Sequence, residues 1–227
     1  MRKLPLFLAA IATLVSGLAL AATPLAAVLT HDLTEHGADG VTHSTRYQER
    51  FVRDDAHVWV ERVLPAWAQG VDALRKVRLE QDHNELDIHL APRLIRPSAA
   101  GSASLLLVDP QRRATFSAGA EDYEHLGFSG RWDAEFSLID PASLRRMKLS
   151  SRKSAVPGTR WYEQRSASDY TRVLWDEALQ FPLVIETGAN DGRYQRRTVA
   201  EVERRQPPRP WNSVQGYAAR EMSDLGD

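Results

Sequence analysis

The chain of 227 residues contains no cysteine. A disulfide framework, a thiolate metal site, a cysteine nucleophile and a c-type haem attachment are therefore excluded. The small secreted scaffolds that depend on disulfides are excluded on the same ground. A chain of this length can instead bury a hydrophobic core that holds one domain together.

Recognisable catalytic motifs are also missing. The sequence has no Gly-x-Ser-x-Gly nucleophile elbow, and Gly127-Phe128-Ser129-Gly130 lacks its spacing. There is no His-Glu-x-x-His motif, no glycine-rich phosphate loop and no recognisable pair of carboxylates. This pattern leans against an enzyme without deciding the question. The formal net charge of −1 gives no reason to expect a nucleic-acid partner.

One apolar run stands at the N-terminus. Arg2 and Lys3 supply a positive start, residues 4–20 carry no charge, and Ala19-Leu20-Ala21 has the pattern of a cleavage site. The run is short for a span, which needs roughly 20 apolar residues. We therefore expect a signal peptide over residues 1–21 that is cleaved, and a mature protein in the bacterial periplasm. No later run is long enough to span a membrane.

Alternation of apolar and polar residues predicts a mainly β protein with few helices. Residues 51–52 and 57–64 flank a turn-like stretch, which predicts a β-hairpin. Residues 82–90 and 132–138 also alternate, so each is expected to form a strand. Residues 104–109 and 113–117 flank a turn and predict a second hairpin. Short helices are expected at residues 66–81 and 144–148.

The C-terminal third predicts an antiparallel meander. Strands are expected at residues 170–176, 181–186 and 193–204. A short connector joins the first two, and Asn190-Asp191-Gly192 is a hairpin signal before the third.

The chain is expected to form one domain. After the signal peptide, residues 22–45 are interpreted as an extended or partly disordered lead-in, and residues 46–206 as the β domain. Three prolines within residues 207–210 predict a break in the sheet. The tail that follows is expected either to pack back on the domain or to dock on another protein.

The passage over residues 170–188 combines Trp175-Asp176 with Pro182-Leu183, and Asn190-Asp191-Gly192 follows it. This layout resembles the periplasmic lipoprotein-carrier superfamily, which includes the outer-membrane lipoprotein-sorting proteins. The hairpin over residues 50–62 fits the same plan. The resemblance covers about a third of the mature chain. It implies a curved antiparallel sheet, an unclosed β-barrel with a short helical lid.

The resemblance also implies a function. A half-open barrel has an apolar concave face that can bind a lipid, an acyl chain or a lipoprotein, at roughly 0.8 kcal/mol per buried CH₂. A non-enzymatic carrier of this kind needs no cofactor, and an envelope protein is a further candidate partner. Aromatic and leucine residues are the candidates to line the pocket, although such residues also fill ordinary cores. They are Trp59, Trp132, Phe136, Trp161, Trp175 and Leu183.

A metal site is the alternative. On the strand expected at residues 82–90, His83, Glu85, Asp87 and His89 would lie along one face, with neighbours roughly 6.6 Å apart. Two adjacent members could bind Zn or Cu(II) with ligands from another strand. Candidates for those are His31, His36, His43, His57 and His125. The same alternation is typical of an ordinary half-exposed strand.

Overall fold

The structure is a computed structural model that describes residues 24–64 and 86–226. Within them the chain is mainly β with two short α-helices, as the sequence predicts. The expected signal peptide, residues 1–21, and the expected helix at residues 66–81 lie outside the described residues. No helix in the described ranges is long and apolar enough to cross a membrane.

The described part of the chain contains twelve strands, two α-helices and four short 3-10 helices. The α-helices are α1 (Trp132–Ser137) and α2 (Pro141–Arg146). The strands are β1 (Leu25–His36), β2 (Thr42–Arg53), β3 (Val58–Arg62), β4 (Arg93–Pro97), β5 (Ala103–Asp109), β6 (Ala114–Ser117), β7 (Lys148–Leu149), β8 (Thr159–Arg165), β9 (Asp169–Asp176), β10 (Phe181–Ala189), β11 (Tyr194–Val202) and β12 (Ala218–Glu221).

All twelve strands belong to one sheet, in the order β12-β6-β5-β4-β3-β2-β1-β11-β10-β9-β8-β7. Neighbours pair antiparallel except β12, which runs parallel to β6. The sheet is not closed into a barrel, so β12 and β7 are free edges. An unclosed, mostly antiparallel sheet is the fold class that the sequence predicts.

Local signals located most of the strands correctly. The predicted hairpin around residues 51–64 is β2–β3, and the one around residues 104–117 is β5–β6. The predicted meander is β9–β10–β11, with β8 on its other side. The residues expected to form an extended lead-in contribute β1 and the start of β2. β1 pairs with both β2 and β11 and so joins the two halves of the sheet.

Two strand predictions are wrong. Residues 132–137 form α1. The pattern did not distinguish the two structures, because Trp132 and Phe136 lie four positions apart, a spacing that puts side chains on one face in a strand and in a helix alike. Residues 87–91 form a turn in which the carbonyl of Asp87 accepts from the amides of Leu90 and Ala91. The strand expected at residues 82–90 is therefore wrong over its described part, and residues 82–85 lie outside the described residues.

Alternation along the strands gives the sheet two different faces. One face carries α1 and α2 and the largest apolar cluster, and we call it the helix face. Phe51, Leu107 and Phe181 are fully buried in that cluster. The opposite face carries a smaller cluster around Trp59, which the C-terminal segment covers with Trp211. The tail therefore packs back on the domain.

Candidate ligand-binding site

The helix face has a continuous apolar layer at its centre. Leu29 on β1, Phe51 on β2, Val60 on β3 and Leu107 on β5 all point to this side and are buried. They share a face because directly paired residues of neighbouring antiparallel strands project the same way. A layer of this kind must be covered by other apolar groups or by a ligand.

A very short helix is part of that cover. α1 has six residues and places Trp132 and Phe136 against the apolar layer. It ends at Leu138, whose φ of 56° is left-handed. Glu135 fixes the start of α1 by accepting hydrogen bonds from the amide and hydroxyl of Ser129. Because a helix this short is not stable in isolation, its position depends on its contacts with the sheet.

Arg53 at the end of β2 fastens α1 to the sheet. Its side chain is fully buried on the helix face. Nη1 donates to the carbonyl of Phe136 at 2.7 Å, and Nη2 donates to the carbonyl of Leu179 at 2.6 Å. The guanidinium carbon also lies 4.2 Å from the ring centroid of Phe136 and 5.0 Å from that of Phe181. One side chain thus joins β2, α1 and the β9–β10 turn.

The environment of Arg53 is unusual for an arginine. No carboxylate in the described ranges pairs with it, and its Nε has no hydrogen-bond partner. Burial lowers the pKa of Arg53 to about 10. The carbonyl of Phe136 lies in the last turn of α1, where carbonyls lack partners within the helix and attract cations. The charge is therefore held by peptide dipoles, and any movement of α1 must break that arrangement.

Polar side chains border the apolar layer on β1, β2, β3, β4 and β11. We call this group the polar cluster; its members are His31, Tyr47, Glu49, Arg62, Arg93 and Thr198. His31 Nδ1 lies 3.0 Å from Thr198 Oγ1. Arg93 Nη2 donates to Glu49 Oε1 at 3.0 Å. His31 Nε2 lies 3.1 Å from Glu49 Oε2, an ion-pair contact without hydrogen-bond alignment.

Glu49 is the acidic centre of the polar cluster. Burial alone would raise the pKa of its carboxyl group. The contact with His31 and the charges of Arg93, His31 and Arg62 outweigh burial and hold the pKa of Glu49 below its ordinary value. The carboxylate form is therefore favoured in the folded protein.

The six predicted pocket residues divide between the two faces of the sheet. The structure brings Trp132, Phe136 and Trp175 to the helix face, the last under Leu144 of α2. It places the remaining three on the opposite face: Trp59, Trp161 and Leu183. Trp59 packs there beside Trp211. Only the first three remain candidates to touch a ligand on the helix face.

The predicted metal ligands do not assemble in the described residues. Asp87 and His89 lie in a turn, where the Asp87 carboxylate accepts from the amide of His89 at 3.0 Å. His89 and His125 have ring centroids 5.8 Å apart. His83 and Glu85 lie outside the described residues. The described ranges contain no group of three or more His, Asp or Glu side chains arranged to bind a metal ion.

A cavity of about 230 Å³ borders Arg53. It is bounded by the end of β2 and the proline-rich segment before Trp211. Pro24, Asp54, Pro207 and Arg209 contribute to its wall. Its mixed polar lining gives no indication of an acyl chain.

Sequence reasoning missed Arg53, which it assigned to the turn between β2 and β3. A signal was present nonetheless. Tyr47, Glu49, Phe51 and Arg53 share the face of β2 that points to the core, as two-residue spacing requires. Because Arg53 follows the buried Phe51 on that face, the spacing predicts that Arg53 is buried as well. What it contacts could not be read from its position, because α1 is more than 75 residues further along the chain.

No family model matches the sequence, and no curated protein matches it. Solved structures do show similarity. PNGF-II is 8% identical with a TM-score of 0.41; the match covers 89% of this chain and 32% of PNGF-II. The chain thus spans about a third of the length of that protein.

Two further structures come from the superfamily that the sequence resembles. A LolA superfamily protein from Nitrosomonas europaea is 8% identical, with a TM-score of 0.39 and coverage of 82% of this chain and 87% of that one. A domain classed with outer membrane lipoprotein-sorting proteins, from Vibrio parahaemolyticus, is 9% identical, with a TM-score of 0.32 and coverage of 78% and 84%. Because these TM-scores lie below 0.5, the fold class rests on the strand order and the free edges of the sheet.

Proposed function

We propose that this protein is a non-enzymatic carrier that binds the acyl chain of a lipid or lipoprotein between the helix face and α1. The observation that carries the proposal is the attachment of α1. A six-residue helix covers part of an apolar layer, where its own apolar side chains pack. Its C-terminal end is bound by one buried arginine that has no carboxylate partner in the described ranges. A cover of this kind can leave as a unit and expose a surface suited to an acyl chain.

The energies involved allow such an exchange. Burial of a twelve-carbon chain contributes about 9 kcal/mol, at roughly 0.8 kcal/mol per CH₂. The two short hydrogen bonds of Arg53 involve a charged donor, and each contributes about 1.5–3 kcal/mol. The burial of a ligand chain can therefore offset the loss of both Arg53 hydrogen bonds and of part of the packing of α1. The protein needs no chemical reaction to take up or release it.

Tryptophan fluorescence offers a direct test, because Trp132 and Trp59 lie on opposite faces of the sheet. Titration of the wild type with 1-lauroylglycerol is expected to change the emission. The change should be largely lost in Trp132→Phe and kept in the matched control Trp59→Phe. Saturable binding that depends on Trp59 and not on Trp132, or no binding of any acyl lipid, would contradict the proposal.

We place this carrier in the periplasm, on the strength of the predicted signal peptide over residues 1–21. Expression of the full chain in a Gram-negative host tests the placement. The protein should appear in the osmotic-shock fraction, with an N-terminus at residue 22 by mass spectrometry. An intact Met1 in the cytoplasmic fraction would contradict it.

A further inference from the structure

The polar cluster contains a cation, Arg62, that has one buried nitrogen without a hydrogen-bond partner among the described residues. Arg62 on β3 lies flat against Tyr47, with its guanidinium carbon 3.6 Å from the ring centroid. Its Nη1 is buried and has no hydrogen-bond partner in residues 24–64 and 86–226. A buried N–H without an acceptor destabilises a protein by about as much as a lost hydrogen bond, and so it requires an explanation.

The carboxylate of Glu49, which is close enough to Arg62 for their charges to interact, is already engaged. Glu49 Oε1 accepts from Arg93 and Oε2 contacts His31. Arg62 reaches Glu49 only as a neighbouring charge and forms no ion pair with a described carboxylate. The two guanidinium groups therefore exceed the single carboxylate by one positive charge. Arg196 lies two residues from Thr198 on the same face of β11 and is exposed.

The polar cluster begins where the apolar layer ends. On β1 the helix face changes from Leu29 to His31, on β2 from Phe51 to Glu49, and on β3 from Val60 to Arg62. Each change occurs between residues two apart, a distance of roughly 6.6 Å along the strand. The changes on β2 and β3 are level with each other, and the change on β1 lies two residues further along the sheet. Three neighbouring strands thus place an apolar floor next to a cationic group.

From this juxtaposition we propose that Arg62 binds the anionic headgroup of an amphiphile whose chain lies on the apolar layer. The inference rests on the carrier function proposed above and adds the class of ligand. A phosphate or carboxylate oxygen supplies the acceptor that Arg62 Nη1 lacks. Stacking on Tyr47 holds the guanidinium plane in place, so that little ordering is needed when the anion arrives.

The test compares two lipids that differ only in charge. Affinities of the wild type are measured by calorimetry for 1-lauroylglycerol and for 1-lauroylglycerol 3-phosphate, with glycerol 3-phosphate as the free anion. A charge-assisted hydrogen bond predicts that the phosphate lipid binds at least tenfold tighter than the neutral lipid. Glycerol 3-phosphate alone should bind far more weakly than either lipid.

Two variants assign the preference to a residue. Arg62→Met should lose most of the tenfold preference and still bind 1-lauroylglycerol, which also shows that the variant is folded. The matched control is Arg46→Met, on the same strand as Tyr47 but on the other face, where Arg46 is exposed and pairs with Asp32. It should keep the preference.

The outcomes separate this inference from the carrier function. Equal binding of the two lipids by the wild type would overturn the headgroup site and leave the carrier function standing. Binding of neither lipid would overturn both. If glycerol 3-phosphate bound as tightly as the phosphate lipid, the proposal of an amphiphilic ligand would be overturned, and the site would be one for a free anion. A preference that persists in Arg62→Met would overturn the role of Arg62.

Discussion

Arg53 contacts Phe136 through both the main chain and the ring. Nη1 donates to the Phe136 carbonyl at 2.7 Å, and the guanidinium carbon lies 4.2 Å from the centroid of its ring. These contacts hold the C-terminal end of α1 against β2. Together with the packing of Trp132 and Phe136 on the sheet, they explain why a helix of six residues is ordered there.

Removal of that cation should ease the opening of α1. In Arg53→Leu, opening of α1 no longer breaks the hydrogen bonds to the carbonyls of Phe136 and Leu179. Uptake of a fluorescent fatty acid should therefore accelerate by about tenfold for each 1.4 kcal/mol by which the barrier to opening falls. Stopped-flow mixing measures the rate. Arg53→Lys keeps the charge, but a single ammonium group lacks the two nitrogens with which the guanidinium donates to both carbonyls. An intermediate uptake rate is therefore expected. Unchanged or slower uptake in Arg53→Leu would refute the role of Arg53.

The C-terminal segment should contribute strongly to stability. Trp211 is buried beside Trp59 on the opposite face and stacks on His57, with ring centroids 4.8 Å apart. Trp211→Ala should therefore lower the free energy of unfolding by about 3–5 kcal/mol in urea. Leu149→Ala, at a side chain that is 64% exposed, should change it by less than about 0.5 kcal/mol. Equal effects of the two changes would mean that the tail does not pack as described.

Stability should fall in acid partly through Glu49. The folded protein holds the pKa of Glu49 below the ordinary value of 4.5. The stabilisation is therefore fully present above pH 4.5 and is lost as the pH falls through the lower, folded-state pKa.

Urea unfolding between pH 7 and pH 3 tests this dependence on Glu49. The difference in unfolding free energy between the wild type and Glu49→Gln should be largest at neutral pH and should shrink in acid. Glu121→Gln, at an exposed carboxylate with no ion pair in the described ranges, controls for net charge. A difference in unfolding free energy that stays constant with pH would contradict the role of Glu49.

The backbone approaches closely at Gly188 on β10. A Cβ atom there would lie 2.9 Å from the carbonyl oxygen of Tyr194 and 2.7 Å from the hydroxyl of Tyr170. Gly188→Ala should therefore cost about 1–3 kcal/mol of stability, measured by thermal and urea unfolding. Adding Tyr170→Phe should restore little, because the Tyr194 carbonyl belongs to the backbone. Full recovery in the double variant would show that the hydroxyl alone sets the limit.

Much of the sheet could be predicted because strand signals are local. Alternation over residues 58–62 and the Asn190-Asp191-Gly192 turn identified β3 and the β10–β11 hairpin without knowledge of any partner. The same reasoning failed at Trp132 and Phe136, whose spacing suits a helix and a strand equally. It also failed to recognise β1 in residues 25–36, because that strand has few contrasts between apolar and polar positions near its exposed end.

The candidate site was less predictable than the fold. Sequence reasoning named Phe136 but not Arg53 or Arg62, since an arginine next to a turn or at the end of a strand is usually solvated. The significance of these two residues depends on partners from distant strands and from α1. Only Trp132, Phe136 and Trp175 of the predicted pocket residues reached the helix face.

The sequence by itself determined a cysteine-free chain of short antiparallel strands with a C-terminal meander, because two-residue alternation and turn residues act within a few positions. Tertiary structure alone decided which face each tryptophan occupies. It also decided that β12 pairs with β6 in parallel and that Arg53 contacts Phe136. Those outcomes follow from the register and the order of the strands, and these are set by contacts between residues far apart in the chain.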